Sequence, residues 1–281
     1  LSPWEVESRN GDQVDTLTAR SIIIASGARP FVPPIPGIEE MDILTSDNLW
    51  ELDEQPERLL VLGGGPIGCE LAQTFARLGS QVTQVQRQPR LMVREDPEAC
   101  QLVKQSLEDS GVQVLTGHNA IRFSNEAGEK YLHVEHEGEE KALPFDAVLV
   151  AVGRQANTDH LGLETLALPT DPDGTIQTNE LLQSRYPNIY ACGDVAGPYQ
   201  FTHTAAHQAW YAAVNALFGF LKSFKVDYRV IPWCTFTSPE VARVGVNEQE
   251  ADEQGIDYEV TRYGIDDLDR AIADSADEGY V

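Results

Sequence analysis

Positive charge is scarce in this sequence: 20 Lys and Arg stand against 45 Asp and Glu, a formal net charge of -25. Such a surface repels phosphate backbones and anionic headgroups, which argues against nucleic acid and membrane partners. Long apolar runs are missing as well. The most apolar stretch, residues 205–221, carries His207, Gln208 and Asn215, so no spanning helix is expected. No signal or transit segment is legible at the start. Cysteine is limited to four residues, at 69, 100, 192 and 234, with no C-x-x-C pair. That spacing argues against disulfides and a zinc site, and points to a reducing cytoplasm with no metal. Each thiol is expected to be a small buried apolar side chain rather than a nucleophile.

What is present is enough apolar material for real cores: 42% of 281 residues, which suggests two or three domains. The chain opens at Leu1 rather than Met and stops at Gly279-Tyr280-Val281 without a turn or cap, so it is expected to be a piece of something longer. "SIIIASG" (21–27) reads as a buried strand, and "ARPFVPPIPGIEE" after it as a stiff crossover between domains. Strands are expected at 59–62, 82–85 and 112–115, with helices from Pro66 and over 97–110 between them. In the first helix Ile67, Leu71, Phe75 and Leu78 recur at helical spacing, and Gly79 suits the C-terminal cap. A meander with strand-like alternation follows and ends in the buried strand "AVLVAVG". "TIQTN" and "NIYACGD" read as short strands, and a helix is expected from near Thr202 with His203, Ala206, Trp210, Ala213, Leu217 and Leu221 on one face. "VIPWCTFT" and "VARVGV" are strand signals, and Asn247-x-x-Glu250 is a capping box for one more helix.

The sharpest motif is Gly63-Gly64-Gly65-Pro66-Ile67-Gly68, a G-x-G-x-x-G that follows a strand, opens a helix and leads to a second strand. Gly63 can take the tight turn, Gly65 lets a diphosphate approach the backbone, and Gly68 lets the helix lie close on the sheet, a small face that Ala72 and Ala76 continue. The helix N-terminus supplies N–H groups and partial positive charge, and Pro66 suits its first turn. At the end of the second strand an acid would hold the adenosine ribose and repel a 2′-phosphate. Gln86 does not repel it, and Arg87, Arg90 and Arg94 follow, which favours NADPH; Gly68 in place of alanine favours NADH, which stays open. Glu70 either complements the helix dipole or takes a functional role.

Five motifs in order resemble the FAD-dependent pyridine nucleotide–disulfide oxidoreductases, most closely their mercuric reductase and dihydrolipoamide dehydrogenase branch. "SIIIASGARP" is similar to the family's A-T-G-x-x-P segment, with Ser26 where threonine is usual. "VLGGGPIGCELA" resembles its nicotinamide loop, "VAVGRQANT" its second hinge, "NIYACGDVAG" its flavin segment, and "VIPWCTFTSPEVARVGVNEQEA" the start of its dimerisation domain. The resemblance implies an α/β fold: a partial Rossmann-like FAD domain with a NAD(P) domain inserted, plus part of an α+β dimerisation domain. Residues 1–35 and 156–222 would be the two FAD segments, 36–155 the NAD(P) domain, and 223–281 the incomplete dimerisation domain, giving a homodimer.

The resemblance also implies roles. Ser26, Gly27, Gly193, Asp194 and Thr202 would bind FAD, with Asp194 on the ribityl hydroxyls and the helix from Thr202 aimed at the flavin N1/O2 edge. Gly63, Gly65, Pro66, Ile67, Gly68, Gln86, Arg87, Gly153 and Arg154 would bind NAD(P)H. Glu70 would pair with a lysine beside flavin N5. His203 and His207 are expected to pack or cap. The activity implied is transfer of a hydride from NAD(P)H to flavin and on to a redox disulfide outside this chain, and thence to a small disulfide or a thiol-bound metal ion. The family's C-x-x-x-x-C, FAD pyrophosphate loop and lysine partner would fall before Leu1, and its C-terminal His-Glu pair beyond Val281. Two alternatives stay open: a disulfide-free flavin NAD(P)H oxidase or reductase, and a non-catalytic nucleotide-binding fragment.

Overall fold

The computed structural model describes residues 2–281. The chain forms two compact units: residues 1–29 with 154–228, and residues 30–153 with 229–281. Among the described residues no helix is long and apolar enough to cross a membrane.

The first unit opens with an antiparallel hairpin of β1 (Glu5–Asn10) and β2 (Gln13–Thr18), nearly all of it exposed. β3 (Ile22–Ile24) and β4 (Ala28–Pro30) follow.

The second unit is built on one parallel sheet. Its strands are β5 (Ile43–Leu44), β6 (Arg58–Leu62), β7 (Gln81–Gln86) and β8 (Gln113–Thr116), with α1 (Pro66–Leu78) and α2 (Pro97–Asp109) as crossovers. An antiparallel meander of β9 (Asn119–Glu126), β10 (Glu129–His136) and β11 (Glu139–Phe145) leads into β12 (Ala147–Val150). The sheet order is β5-β12-β6-β7-β8, every pair parallel. Both of its faces are covered, so its strands read as continuous apolar runs. On β6, Leu60 and Leu62 pack with Phe123, Leu132, Leu143 and Phe145 of the meander, while Leu59 and Val61 pack with Cys69, Ala72, Cys100 and Val103 of the helices.

α1 starts at Pro66 and stops at Gly79, whose φ of 109° closes a left-handed cap. It meets the sheet through its small residues Gly68, Cys69 and Ala72, while the buried Gln73 faces Ser106 of α2. Ile67 and Leu78, taken from the sequence as part of an apolar stripe, are exposed.

The chain then returns to the first unit with β13 (Arg154–Ala156), paired with β4, and β14 (Ile189–Ala191), parallel to β3. The expected strand over 175–179 is absent. There the Thr175 N–H and hydroxyl both bond the Asp173 carboxylate, a local turn that competes with a ladder, leaving one isolated bridge from Thr170 to Ile176.

α3 (Thr202–Phe218) begins where expected but is turned the other way. Its buried residues are Thr204, Gln208, Ala212 and Asn215, while Trp210 and Leu217 of the expected apolar face are exposed. The polar residues face inward because loops there need partners. Asn215 donates to the carbonyls of Leu181 and Phe224 and accepts from the Phe224 N–H.

Back in the second unit, β15 (Pro232–Thr235) and β16 (Val241–Val244) form an antiparallel hairpin, followed by α4 (Glu248–Gln254) and α5 (Asp269–Ala273). Asn247 caps α4, accepting the Glu250 N–H at 3.0 Å. The Glu250 carboxylate does not close the box; it pairs with Arg243 at 2.7 Å.

Candidate functional site

The loop between β6 and α1 is shaped by what its glycines must clear. Gly63 has φ 119°, and a Cβ there would collide with the Ala151 carbonyl. A Cβ on Gly64 would come within 2.7 Å of Leu91 Cδ2, and one on Gly68 would strike the Gly63 carbonyl. Gly65 differs: a Cβ there would meet no protein atom within 4 Å. Packing demands glycine at three positions and leaves Gly65 facing open space at the N-cap of α1, where no side chain caps the helix. That combination, backbone amides, a positive helix end and no Cβ in the way, fits an anion such as a dinucleotide diphosphate. Pro66 and Ile67 are exposed in the same first turn.

Around the loop stand the other second-unit candidates. Gln86 ends β7, with its Nε2 donating to the Arg90 carbonyl at 3.4 Å and its own carbonyl accepting the His118 N–H at 3.1 Å. Arg87 is exposed. Arg90 is committed elsewhere, to Gln249 Oε1 at 2.5 Å and the Val93 carbonyl at 3.0 Å. Gly153 has φ 137°, open space at its Cβ position, and a carbonyl that accepts the Phe31 N–H at 2.9 Å.

Glu70, one turn into α1, accepts the Phe236 N–H at 2.8 Å. Gln73, one turn further, holds Ser238 of the same loop. The thiol of Cys69 is buried, and desolvation pushes it up to about 12, which removes it as a nucleophile. Burial also raises the thiols of Cys100, Cys192 and Cys234. Among the described residues no group of three or more His, Cys, Asp and Glu could hold a metal ion.

The first unit gathers a second set. The Ser26 hydroxyl donates to the Asn157 carbonyl at 2.7 Å, and the Gly27 carbonyl accepts the Asn157 N–H at 2.9 Å. Gly193 has φ 78° and donates its N–H to Gln208 Oε1 at 2.6 Å. Gln208 Nε2 in turn reaches the Gly197 carbonyl at 2.6 Å and the Tyr228 hydroxyl at 2.8 Å, so one buried amide fixes the turn that presents Asp194. Burial raises the Tyr228 phenol above its ordinary value. Asp194 lies 3.4 Å from Arg154 Nε, and Arg154 Nη2 also donates to the Ala28 carbonyl at 2.8 Å. Thr202 opens α3 exposed and without a side-chain cap, and two residues on the buried Thr204 hydroxyl has no hydrogen-bond partner. An uncapped helix end, an unmet buried hydroxyl and a carboxylate on a fixed turn fit a polyhydroxyl, anion-stabilised group such as a flavin. His203 stacks on Phe201 with ring centroids 5.3 Å apart, and His207 Nε2 lies 3.3 Å from the Asp227 carbonyl.

The structure thus groups residues 63–68, 70, 86, 87 and 153 in one unit and 26, 27, 154, 193, 194 and 202 in the other. Sequence reading missed Gln84, Gln208 and Asn157, whose side chains hold the backbone of these loops. A polar amide inside an apolar strand or on a helix core face was the available signal.

Compared with known proteins, residues 4–209 match the family model described as pyridine nucleotide-disulphide oxidoreductase, and residues 231–281 match that family's dimerisation domain. The chain is 40% identical over 263 residues to the mercuric reductase of Staphylococcus aureus, across 94% of this chain and 48% of that protein. It is 34% identical over 272 residues to the dihydrolipoyl dehydrogenase of Chlamydia pneumoniae, across 96% and 57% respectively. The solved HOCl-induced flavoprotein disulfide reductase RclA from Escherichia coli matches with a TM-score of 0.86 at 30% identity, over 99% of this chain and 62% of that one. The chain spans about half the length of the curated relatives it matches.

Proposed function

The chain belongs to the pyridine nucleotide-disulphide oxidoreductases, and on that premise we propose that it works within an FAD-dependent NAD(P)H:disulfide oxidoreductase. When bound, NAD(P)H supplies a hydride and FAD carries the electron pair on towards a dithiol/disulfide couple. The residues of this chain bind, orient and tune.

The amides at the start of α1 and the open side of Gly65 take the diphosphate. Gln86 meets the adenosine ribose, and the exposed Arg87 clamps a 2′-phosphate, which favours NADPH. Gly153 lines the nicotinamide site, with Arg154 following it in the chain. Glu70, whose carboxylate accepts the Phe236 N–H, is the candidate to pair with a lysine beside flavin N5 and help gate the nicotinamide ring. Ser26 and Gly27 approach the flavin, and Asp194 accepts hydrogen bonds from its ribityl hydroxyls. The α3 dipole stabilises negative charge on the reduced ring.

The substrate class is a small disulfide or a thiol-bound metal ion, a reading supported by likeness to a mercuric reductase and a dihydrolipoyl dehydrogenase. A homodimer through 223–281 is supported by the dimerisation-domain match at 231–281. The split flavin domain at 1–35 and 156–222, around a nucleotide domain at 36–155, is supported by the first unit's being built from two separated stretches of chain. In the compact units the dimerisation residues group with the nucleotide domain.

One observation carries the proposal: Gly65 alone among the loop glycines has no protein neighbour that requires it. The test is titration of the chain with NADPH and NADH, followed by nicotinamide fluorescence. Gly65→Val is expected to fold normally and to weaken both nucleotides at least about tenfold. Equal affinities before and after would refute the reading.

A further inference from the structure

Gln84 sits in β7 opposite Val61 of β6 and is fully buried. Its Nε2 donates to the Gly63 carbonyl at 2.9 Å and lies 3.7 Å from the Cys69 sulfur. Its Oε1 is buried too and has no hydrogen-bond partner. A methionine would fill much the same volume and would exchange one unmet acceptor, Gln84 Oε1, for another, the Gly63 carbonyl, so packing and the count of satisfied polar groups do not by themselves favour an amide here.

The direction of the loop's peptides does. Across a trans peptide, the C=O of one residue and the N–H of the next point opposite ways. The Gly63 carbonyl is turned inward onto Gln84, which turns the Gly64 N–H outward. The next peptide follows suit. The Gly64 carbonyl accepts the Met92 N–H at 2.7 Å and faces the Cys69 thiol at 3.6 Å, which sends the Gly65 N–H outward. Two successive amides aimed away from the core, just ahead of a helix end without a side-chain cap, form an anion cradle. Met92 holds the second peptide with its backbone; only a side-chain donor holds the first.

We infer that Gln84 is a positioning residue for nucleotide binding: by gripping the Gly63 carbonyl it fixes the outward aim of the Gly64 amide at the diphosphate. The inference rests on the function proposed above and concerns the same loop. Gln84 touches no ligand atom itself and acts through the backbone.

The test compares Gln84→Met with the unaltered chain and with Gly65→Val, titrating NADPH and NADH and recording thermal unfolding without nucleotide. Gln84→Met is expected to unfold at about the same temperature, because the unmet Oε1 is removed while the Gly63 carbonyl loses its donor. It is expected to bind both nucleotides about fivefold or more weakly and by equal factors, because the diphosphate is common to them. If Gly65→Val weakens binding but Gln84→Met binds like the unaltered chain, this inference fails and the proposed function stands. If Gly65→Val binds like the unaltered chain, the proposed function fails and takes this inference with it. Should Gln84→Met not fold, Gln84→Leu is tested the same way. Failure of both to fold makes Gln84 a structural residue and overturns the inference.

Discussion

Gln73 binds both sides of one residue: its Oε1 accepts the Ser238 N–H at 2.8 Å, and its Nε2 donates to the Ser238 carbonyl at 3.1 Å. Ser106 of α2 donates to the same carbonyl, and Glu70 holds the Phe236 N–H two residues earlier. The loop after β15 is therefore fastened to α1, the helix whose N-terminus is the proposed nucleotide cradle, by side chains one turn apart.

Replacing Gln73 with leucine removes both bonds to Ser238 and a third, from its Nε2 to the Ser106 hydroxyl at 3.1 Å, and leaves a backbone N–H without its partner. The expected loss is about 1–3 kcal/mol in urea unfolding, because the hydrogen bonds of the buried Gln73 amide go together while the exposed Ser238 can turn to water. Ser106→Ala in the same background should add more than it does alone, since with Gln73 gone Ser106 is the remaining donor to that carbonyl. Strict additivity would show that the two act separately.

The acid side of the stability curve should depend on Asp146. Its carboxylate takes the Arg58 N–H at 2.8 Å and the Arg58 guanidinium at 2.5 Å, which holds its pKa below the ordinary 3.8. A carboxylate lowered in the folded state stabilises fully above its unfolded value and loses that contribution as pH falls through the folded one. The urea midpoint of the unaltered chain should exceed that of Asp146→Asn near neutrality, and the gap should close below about pH 4. A gap that stays constant down to strong acid would contradict the assignment. The pair is partly exposed, so the effect is discounted by solvent and should shrink in high salt.

Cofactor preference should follow the end of β7. Arg87→Ala is expected to weaken NADPH about tenfold and leave NADH nearly unchanged, and Gln86→Glu to shift the ratio further towards NADH. Titrations of both nucleotides read this directly, and unchanged ratios in both variants would remove these residues from 2′-phosphate recognition. Arg90, bonded to Gln249 and the Val93 carbonyl, should alter stability more than preference.

What the sequence made legible follows from where its signals arise. α1 was readable because Pro66, Gly79 and the glycine loop are local requirements of backbone conformation, written in the residues that meet them. The central strands β6 and β12 were readable because both faces of their sheet are buried, so residues 59–62 and 147–150 are unbroken apolar runs.

The orientation of α3 was not. Hydropathy records what a side chain costs to bury, whereas Gln208 and Asn215 face inward to satisfy the backbone of the loops on either side of the helix. Gln84 stood out only as a polar residue in an apolar strand, and what it holds showed only in the fold. The β1–β2 hairpin, exposed on almost every residue, carried no alternation to read. Of the candidate site, the glycines and Asp194 were legible as motifs, while the amides that hold their loops, Gln84, Gln208 and Asn157, needed the fold.

The proposed role of the cradle at the start of α1 is to grip the diphosphate of a nicotinamide nucleotide. A crystal structure of the chain grown with NADPH tests it most directly. The account predicts diphosphate oxygens within hydrogen-bond distance of the amides of Gly64, Gly65 and Ile67, against the open side of Gly65. Ordered nucleotide bound at another place, with this loop facing only solvent, would contradict it.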